Sequence, residues 1–145
     1  MSDPFELQRF VAAQDQGGTY NVAIDELREG RKRSHWMWFV FPQIAGLGQS
    51  PVSRRYAISS LAEARAYLAH PVLGPRLIES ARVVAGLENR TAQDIFGGID
   101  AIKLRSSMTL FARADPENPL FGAVLDAYFG GIPDDATDSL LGSTG

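Results

Sequence analysis

The residues best suited to chemistry lie together in the segment GRKRSHWMWFVFPQI, which begins at residue 30. Three consecutive cations, Arg31, Lys32 and Arg33, precede Ser34 and His35, and aromatic residues follow at once. Guanidinium, ammonium and imidazole groups donate hydrogen bonds to phosphate or carboxylate oxygens. At the beginning of a helix, free backbone N–H groups and the helix dipole also favour an anion. We therefore predict an anion site here, with Ser34 as the N-cap of an aromatic helix.

Two other segments carry groups that could bind an anion. Gly46 and Gly48 allow a ligand to approach the backbone closely, and Ser50 follows where another helix is expected to begin. A turn that needs a positive φ explains these glycines equally well. On a later helix, Lys103 and Arg105 add two cations, although surface residues beside a core stripe would look the same. Whether the three segments meet in space stays open at this stage.

The aromatic residues bear on whether the ligand is a nucleotide or plain phosphate. Trp36, Trp38, Phe39 and Phe41 follow the cations within ten residues, and an indole face can stack on a base or lie under a guanidinium group. The alternative is that the aromatic residues belong to the core. Because residues two apart on a helix differ by about 200° in direction, at most one tryptophan serves a ligand. Trp36 is the tryptophan that we assign to the site.

Several classes of site are excluded or disfavoured by what the sequence lacks. Cysteine is absent and the two histidines are well separated, which argues against a disulfide framework and a structural zinc site. The glycine-rich phosphate loops, HExxH and GxSxG are also missing. Asp25 and Glu29 are expected on a solvated helix face together with Glu26, and Asp126 lies among apolar residues, where it could be an acid near a cleft. We expect no metal and no cofactor, and the sequence assigns no catalytic residue.

The charge pattern limits the possible partners. The 145 residues carry a net charge of −3, which argues against a nucleic-acid-binding protein. Six Lys or Arg residues lie between Arg28 and Arg55 with one acid, whereas residues 115–138 contain six acids and no base. This asymmetry indicates either two solvated faces of opposite sign or a local anion site. The N-terminus resembles neither a secretory signal nor a membrane span, so we expect a soluble, cytoplasmic protein.

The elements that must position these residues are predicted to be helices. Apolar residues recur at helical spacing, and helix starts are expected at Asp3, Thr19, Ser50, Ser60, Asp100 and Asn118. No convincing period-two strand, internal repeat or linker is visible. The sequence therefore predicts an all-α protein, a compact single-domain array of about seven or eight short helices. We expect the domain over residues 1–132 and a partly disordered C-terminal tail over residues 133–145.

The strings RKRSHWMWFVFPQI, GLGQSPVSRRYAI and KLRSSMTLFARAD resemble those of a bacterial family, domain-of-unknown-function family 1810. This resemblance runs from DPFELQRFV to LDAYFGG and implies a small, all-helical, single-domain fold without assigning an activity. A weaker similarity is to the NADAR family of helical proteins, which is linked to NAD, ADP-ribose and cleavage of N-glycosidic bonds. It is carried by Asp100, Lys103, Ser107 and Met108. That family's acidic catalytic residue has no clear match upstream.

Two hypotheses follow for the function. The first is binding or hydrolysis of a phosphorylated ribosyl or nucleotide-like small molecule at the basic and aromatic segment. The alternative is a non-enzymatic protein-interaction module that uses residues 28–55. A concave site joining the three segments would favour the first, and an exposed patch joining Trp36 or Trp38 to Arg31 and Arg33 would favour the second. Whether the protein is an enzyme, and its oligomeric state, stay open.

Overall fold

Short helices follow one another along residues 3–144, the part of the chain that the computed structural model describes. In chain order they are α1 (Gln8–Asp15), α2 (Thr19–Glu29), α3 (Met37–Val40), α4 (Pro51–Arg55), α5 (Leu61–Ala69), α6 (Leu73–Gly86), α7 (Ala92–Ala114), α8 (Pro119–Phe129) and α9 (Asp135–Thr144). A 3-10 turn joins α1 to α2. Within the described residues, the extended pairing is one isolated parallel bridge, between Ile44 and Ile58. The predicted all-α array of short helices is confirmed.

The polar residues that begin several helices behave as the sequence predicts. The side chains of Ser50, Ser60 and Asn118 each accept a backbone N–H of the first turn of α4, α5 and α8. Such caps satisfy amides that have no partner inside the helix. Thr91 and Asp94 form a reciprocal capping box at the start of α7. These local signals therefore set four of the helix boundaries.

Three predicted helix starts are corrected. Helix α1 begins later than expected, although the carboxylate of Asp3 still accepts the N–H groups of Leu7 and Gln8 at 2.8 and 3.0 Å. Thr19 is the first residue of α2 rather than its cap, and its hydroxyl donates to a carbonyl of the preceding turn. A kink at Gly97, where φ is 79° and ψ is 169°, divides α7 into two helical parts, and Asp100 lies within the second part instead of capping it. The carboxylate of Asp100 therefore does not cap a helix and is available to side-chain partners.

The aromatic segment departs most from the prediction. Residues 31–36 form an irregular connection, and only Met37–Val40 are helical. Trp36 occupies the N-cap position without any side-chain cap. Ser34 is not a cap, because its hydroxyl donates to the carboxylate of Glu26 at 2.6 Å. A helix of four residues has almost no dipole to offer an anion, so the predicted helix N-terminal site loses its structural basis.

Glu26 of α2 organises this connection. Its carboxylate accepts the backbone N–H groups of Arg33 and Ser34 at 2.8 and 3.0 Å, the hydroxyl of Ser34, and the indole N–H of Trp36 at 2.9 Å. The residue is only 7% exposed. Burial raises the pKa of Glu26, but these hydrogen bonds outweigh it and hold the pKa at about 2. The sequence placed Glu26 on a solvated helix face, and that expectation is wrong.

The core lies between the helices and receives the aromatic residues. Trp36, Phe41, Tyr67, Phe111 and Phe121 are fully buried, and α7 packs against α5, α8 and α9.

The C-terminal segment is part of this packing. Helix α9 covers most of the segment predicted as a tail, Leu141 is buried, and Arg113 pairs with Asp138 at 2.9 Å. No helix among the described residues has the length and apolar character to cross a membrane.

Replacing Glu26 is expected to destabilise the fold in a pH-dependent way. A carboxylate whose pKa falls from 4.5 to about 2 on folding contributes about 3 kcal/mol at neutral pH. This contribution is present above pH 4.5 and declines as the pH falls toward 2, because the unfolded chain binds the proton first. Glu26→Gln should therefore lower the free energy of unfolding by about 2–3 kcal/mol at pH 7, and by clearly less at pH 3, in urea titrations.

Glu29→Gln is the matched control for this experiment. Glu29 lies on the same helix, and its ion pair with Arg33 is more than half exposed, so its loss should cost less than about 1 kcal/mol. Equal effects of the two substitutions at pH 7, or a Glu26→Gln effect as large at pH 3 as at pH 7, would contradict the role given to Glu26.

A second prediction concerns the close contact between α5 and α6. A methyl group added at Gly74 would lie 2.1 Å from the backbone oxygen of Leu68, so Gly74→Ala should cost about 1–3 kcal/mol in stability. Gly86, in the last turn of the same helix, has no atom within 4 Å of such a methyl group, and Gly86→Ala should be neutral or slightly stabilising. Urea midpoints that shift equally in the two variants would show that this contact is not tight.

Candidate functional site

Three cavities adjoin one another, two of them are lined by Trp38, and together we call them the Trp38 groove. The inner cavity, of about 110 Å³, lies between Trp38 and Arg54. The middle cavity, of about 320 Å³, shares Gln43, Gly48 and Ser53 with the inner one. The outer cavity, of about 410 Å³, shares Trp38 with the inner cavity, and Ile99 and Lys103 with the middle one. The three cavities therefore adjoin one another through shared lining residues, and Trp38 lines the inner and outer ones.

Each of the three segments that the sequence singled out contributes to this groove. The basic and aromatic segment supplies Lys32, His35 and Trp38 to the outer cavity. The glycine loop lines the inner cavity through Gly46 and Gly48, together with Ser53 and Arg54 of α4. Helix α7 supplies Ile99, Asp100 and Lys103. The segments meet, although largely through residues other than the predicted arginines.

The indole of Trp38 forms the wall between the inner and outer cavities. The ammonium group of Lys103 lies 4.9 Å from the ring centroid, a cation–π contact. The Nε1 atom of Trp38 is buried and has no hydrogen-bond partner among the described residues, which is unusual for a buried indole. Because this atom is inaccessible, a ligand would meet the ring itself and would reach Nε1 only if the ring turned.

A cluster of three charged side chains, Lys32, Asp100 and Lys103, lines the outer cavity. Asp100 accepts from Lys32 at 2.7 Å and lies 3.4 Å from Lys103. Lys32 is nearly buried, also donates to the carbonyl of Ser34, and lies 5.1 Å from the ring centroid of Trp36. Lys103 is 22% exposed and has the longer of the two ionic contacts. Two cations on one carboxylate leave a net positive charge, and Lys103 is the cation of this cluster that a ligand can reach.

Glycine occupies these positions of the groove for different physical reasons. Gly46 has a φ of 106°, a conformation that favours glycine. A methyl group at Gly48 would lie 2.4 Å from Cβ of Ser53, so glycine is needed there for the loop to pack on α4. Gly97 and Gly98 line the outer cavity, and a methyl group at either would meet no atom within 4 Å. The cavity is therefore open above this part of α7.

Four predicted site residues are used elsewhere in the structure. Ser34 and Trp36 donate to Glu26. Ser50 caps α4 and donates to the hydroxyl of Ser53 at 2.8 Å. Arg105 donates to the carbonyls of Ile132 and Pro133 at 2.9 and 3.1 Å. Each of them holds the fold around the groove instead of lining it.

The two predicted arginines of the basic segment also lie outside the groove. Arg31 is exposed and lines none of its three cavities. Arg33 pairs with Glu29 at 2.8 Å, and both side chains are more than half exposed. Of the predicted residues, His35, Gly46, Gly48 and Lys103 line the groove.

Sequence reasoning did not name several residues of the groove, among them Gln43, Ser53, Arg54 and, as a lining residue, Asp100. Trp36, the tryptophan that the sequence assigned to the site, is fully buried, and Trp38 lines the groove. Glu26, ten residues before Trp36, was the signal that Trp36 would be buried. A buried carboxylate needs several hydrogen-bond donors, and the indole N–H of Trp36 is one of them. Helical spacing alone cannot reveal that pairing.

The groove contains two carboxylates with different surroundings. Asp134 lines the middle cavity and accepts from Ser106 and from the hydroxyl and N–H of Thr137. Asp100 lines the outer cavity beside the two lysines. Within residues 3–144 no cluster of three or more His, Cys, Asp or Glu side chains is placed to hold a metal ion.

Comparisons with known proteins agree with the fold. A crystal structure of the conserved hypothetical protein Rv1873 from Mycobacterium tuberculosis is 55% identical in sequence and matches with a TM-score of 0.94, covering 97% of this chain and 99% of that one. Among proteins with curated descriptions, no significant match is found. The family model described as "Protein of unknown function (DUF1810)" matches residues 4–141. The chain therefore belongs to the DUF1810 family.

Proposed function

We propose that this protein binds a phosphorylated ribosyl or nucleotide-like small molecule in the Trp38 groove. The observation that supports this most directly is that three segments distant in sequence line three adjoining cavities whose walls include Trp38 and Lys103. Ligand sites are commonly concave, with an apolar wall and a few polar groups that fix orientation. The middle and outer cavities, of about 320 and 410 Å³, fall in the size range of small-molecule sites.

The chemistry of the groove favours an anionic ligand with a planar or ring-shaped part. Lys103 is accessible and supplies positive charge beside the indole of Trp38. Arg54 adds a cation to the inner cavity, and its guanidinium group donates to the side chain of Gln49 at 3.2 Å. The ligand's anionic group would lie beside Lys103, and its ring would lie against the indole.

Binding is proposed here in preference to hydrolysis. Most glycosidases use two carboxylates, one as an acid and one as a base or nucleophile. In the groove, Asp134 is held by Ser106 and Thr137, and Asp100 is held by two lysines. The two carboxylates also line different cavities, Asp134 the middle one and Asp100 the outer one, so none of the three cavities is lined by the pair that such a mechanism uses. Cleavage of an N-glycosidic bond, suggested by the similarity to the NADAR family, would be assayed once a ligand is found.

The alternative, a protein-interaction module using residues 28–55, has less support. It requires an exposed patch that joins Trp36 or Trp38 to Arg31 and Arg33. Trp36 is fully buried, and Trp38 is partly buried in the wall of the groove. The basic segment therefore offers exposed cations without the exposed aromatic surface that commonly anchors a protein interface.

The proposal predicts thermal stabilisation by ribosyl phosphates. A ligand present at about 100 times its dissociation constant adds about 2.7 kcal/mol, which should raise the unfolding midpoint by about 8 °C for a domain of this size. The probes are ribose 5-phosphate, ADP-ribose, NAD, AMP and inorganic phosphate. Lys103→Ala should remove most of the shift, because it removes the accessible cation beside Trp38.

Arg33→Ala is the matched control. It removes a cation that lies outside the groove, so the shift should survive. A shift lost in Arg33→Ala and kept in Lys103→Ala would move the site to the exposed basic segment. No shift with any probe at millimolar concentration would overturn the proposal.

A further inference from the structure

Asp100 has hydrogen-bonding capacity that its partners in the structure do not use. Its two oxygens together accept from Lys32 and Lys103, whereas an ionised carboxylate offers about four acceptor positions. The side chain is 19% exposed, and Asp100 lines the outer cavity. The two lysines fix the carboxylate in place, so its remaining acceptor positions are available to a ligand without any rearrangement.

The groups around Asp100 restrict what that ligand can be. A ligand phosphate or carboxylate would be repelled by Asp100 and attracted by Lys103, so it cannot be the group that Asp100 binds. A ligand ammonium group would face Lys32 and Lys103, whose charges exceed that of the single carboxylate. The remaining donor that fits is a neutral one, and in a small anionic molecule the usual neutral donors are hydroxyl groups.

The surroundings also leave room for a sugar. Gly97 and Gly98 border Asp100 with open space above their backbone. The indole of Trp38 faces the same cavity and gives an apolar surface on which a sugar ring can lie. The two oxygens of one carboxylate can accept from two hydroxyls on neighbouring carbon atoms, which is how an acidic residue recognises ribose in dinucleotide sites.

We infer that Asp100 recognises adjacent hydroxyls of the ligand's sugar, so that the groove distinguishes ribosyl from 2-deoxyribosyl phosphates. This inference rests on the proposed function and specifies how the same groove selects its ligand. The phosphate lies toward Lys103, and the hydroxyl pair lies over Asp100. In this role Asp100 is a specificity-determining residue for the ligand.

The test compares ribose 5-phosphate with 2-deoxyribose 5-phosphate by isothermal titration calorimetry on the full chain. A hydrogen bond to a charged group is commonly worth about 10-fold or more in affinity, so the unmodified protein should bind ribose 5-phosphate at least about 10-fold more tightly. In Asp100→Asn the preference should fall to about 2-fold or less, because a neutral amide is a weaker acceptor. Removing the negative charge should also strengthen phosphate binding slightly.

Asp25→Asn is the control, since it makes the same chemical change at an exposed acid on α2 that does not line the cavity. It should keep the preference of the unmodified protein. Equal affinity of the unmodified protein for the two sugars would overturn the inference and leave the proposed function standing. No binding of either sugar phosphate, together with no thermal shift from any of the other probes, would overturn both. The comparison on the unmodified protein decides between these outcomes even if Asp100→Asn fails to fold.

Discussion

The structure around the groove depends on one buried carboxylate. Glu26 gathers two backbone amides, a hydroxyl and an indole N–H from residues 33–36. Its burial would be unfavourable alone, and the four donors together make it favourable. As a result, the connection between α2 and α3 is fixed. Trp36 lies in the core, and Trp38, two residues later, lies at the edge of the core. Lys32 is directed toward Asp100 by the same connection, and its backbone N–H donates to Ile95 at 2.7 Å.

The parts of the fold that the sequence predicts well are those set by local chemistry. Ser50, Ser60 and Asn118 begin helices because a side-chain oxygen satisfies amides of the next turn, and Gly30 ends α2 in the left-handed conformation. The errors arise where a distant partner competes. Ser34 would cap a helix locally, but Glu26 accepts its hydroxyl. The helix start expected at Asp100 is replaced by a kink at Gly97, inside α7. These choices depend on contacts between elements, which periodicity does not contain.

The same distinction applies to the candidate site. The sequence identified the three segments that line the groove, since cations, glycines and aromatic residues are visible in it. It could not identify which members of each segment face inward. Arg33 and Arg105 have partners that satisfy them on the outside, whereas Lys103 and Asp100 face the cavity as a pair. A carboxylate and two lysines in a partly buried cluster keep a fixed geometry, and the proposal of an anionic ligand with a ring rests on an accessible cation beside an indole.

The most direct test of this account follows the two indole N–H signals by nuclear magnetic resonance during a titration with ribose 5-phosphate. The sequence has two tryptophans, and Trp36→Phe and Trp38→Phe would assign their signals. The account predicts that the Trp38 signal moves in a saturable manner, while that of Trp36, which is held by Glu26 in the core, stays in place. A titration in which neither signal moves, or in which the backbone amides of Arg31 and Arg33 shift while Trp38 does not, would contradict a ligand site in the Trp38 groove.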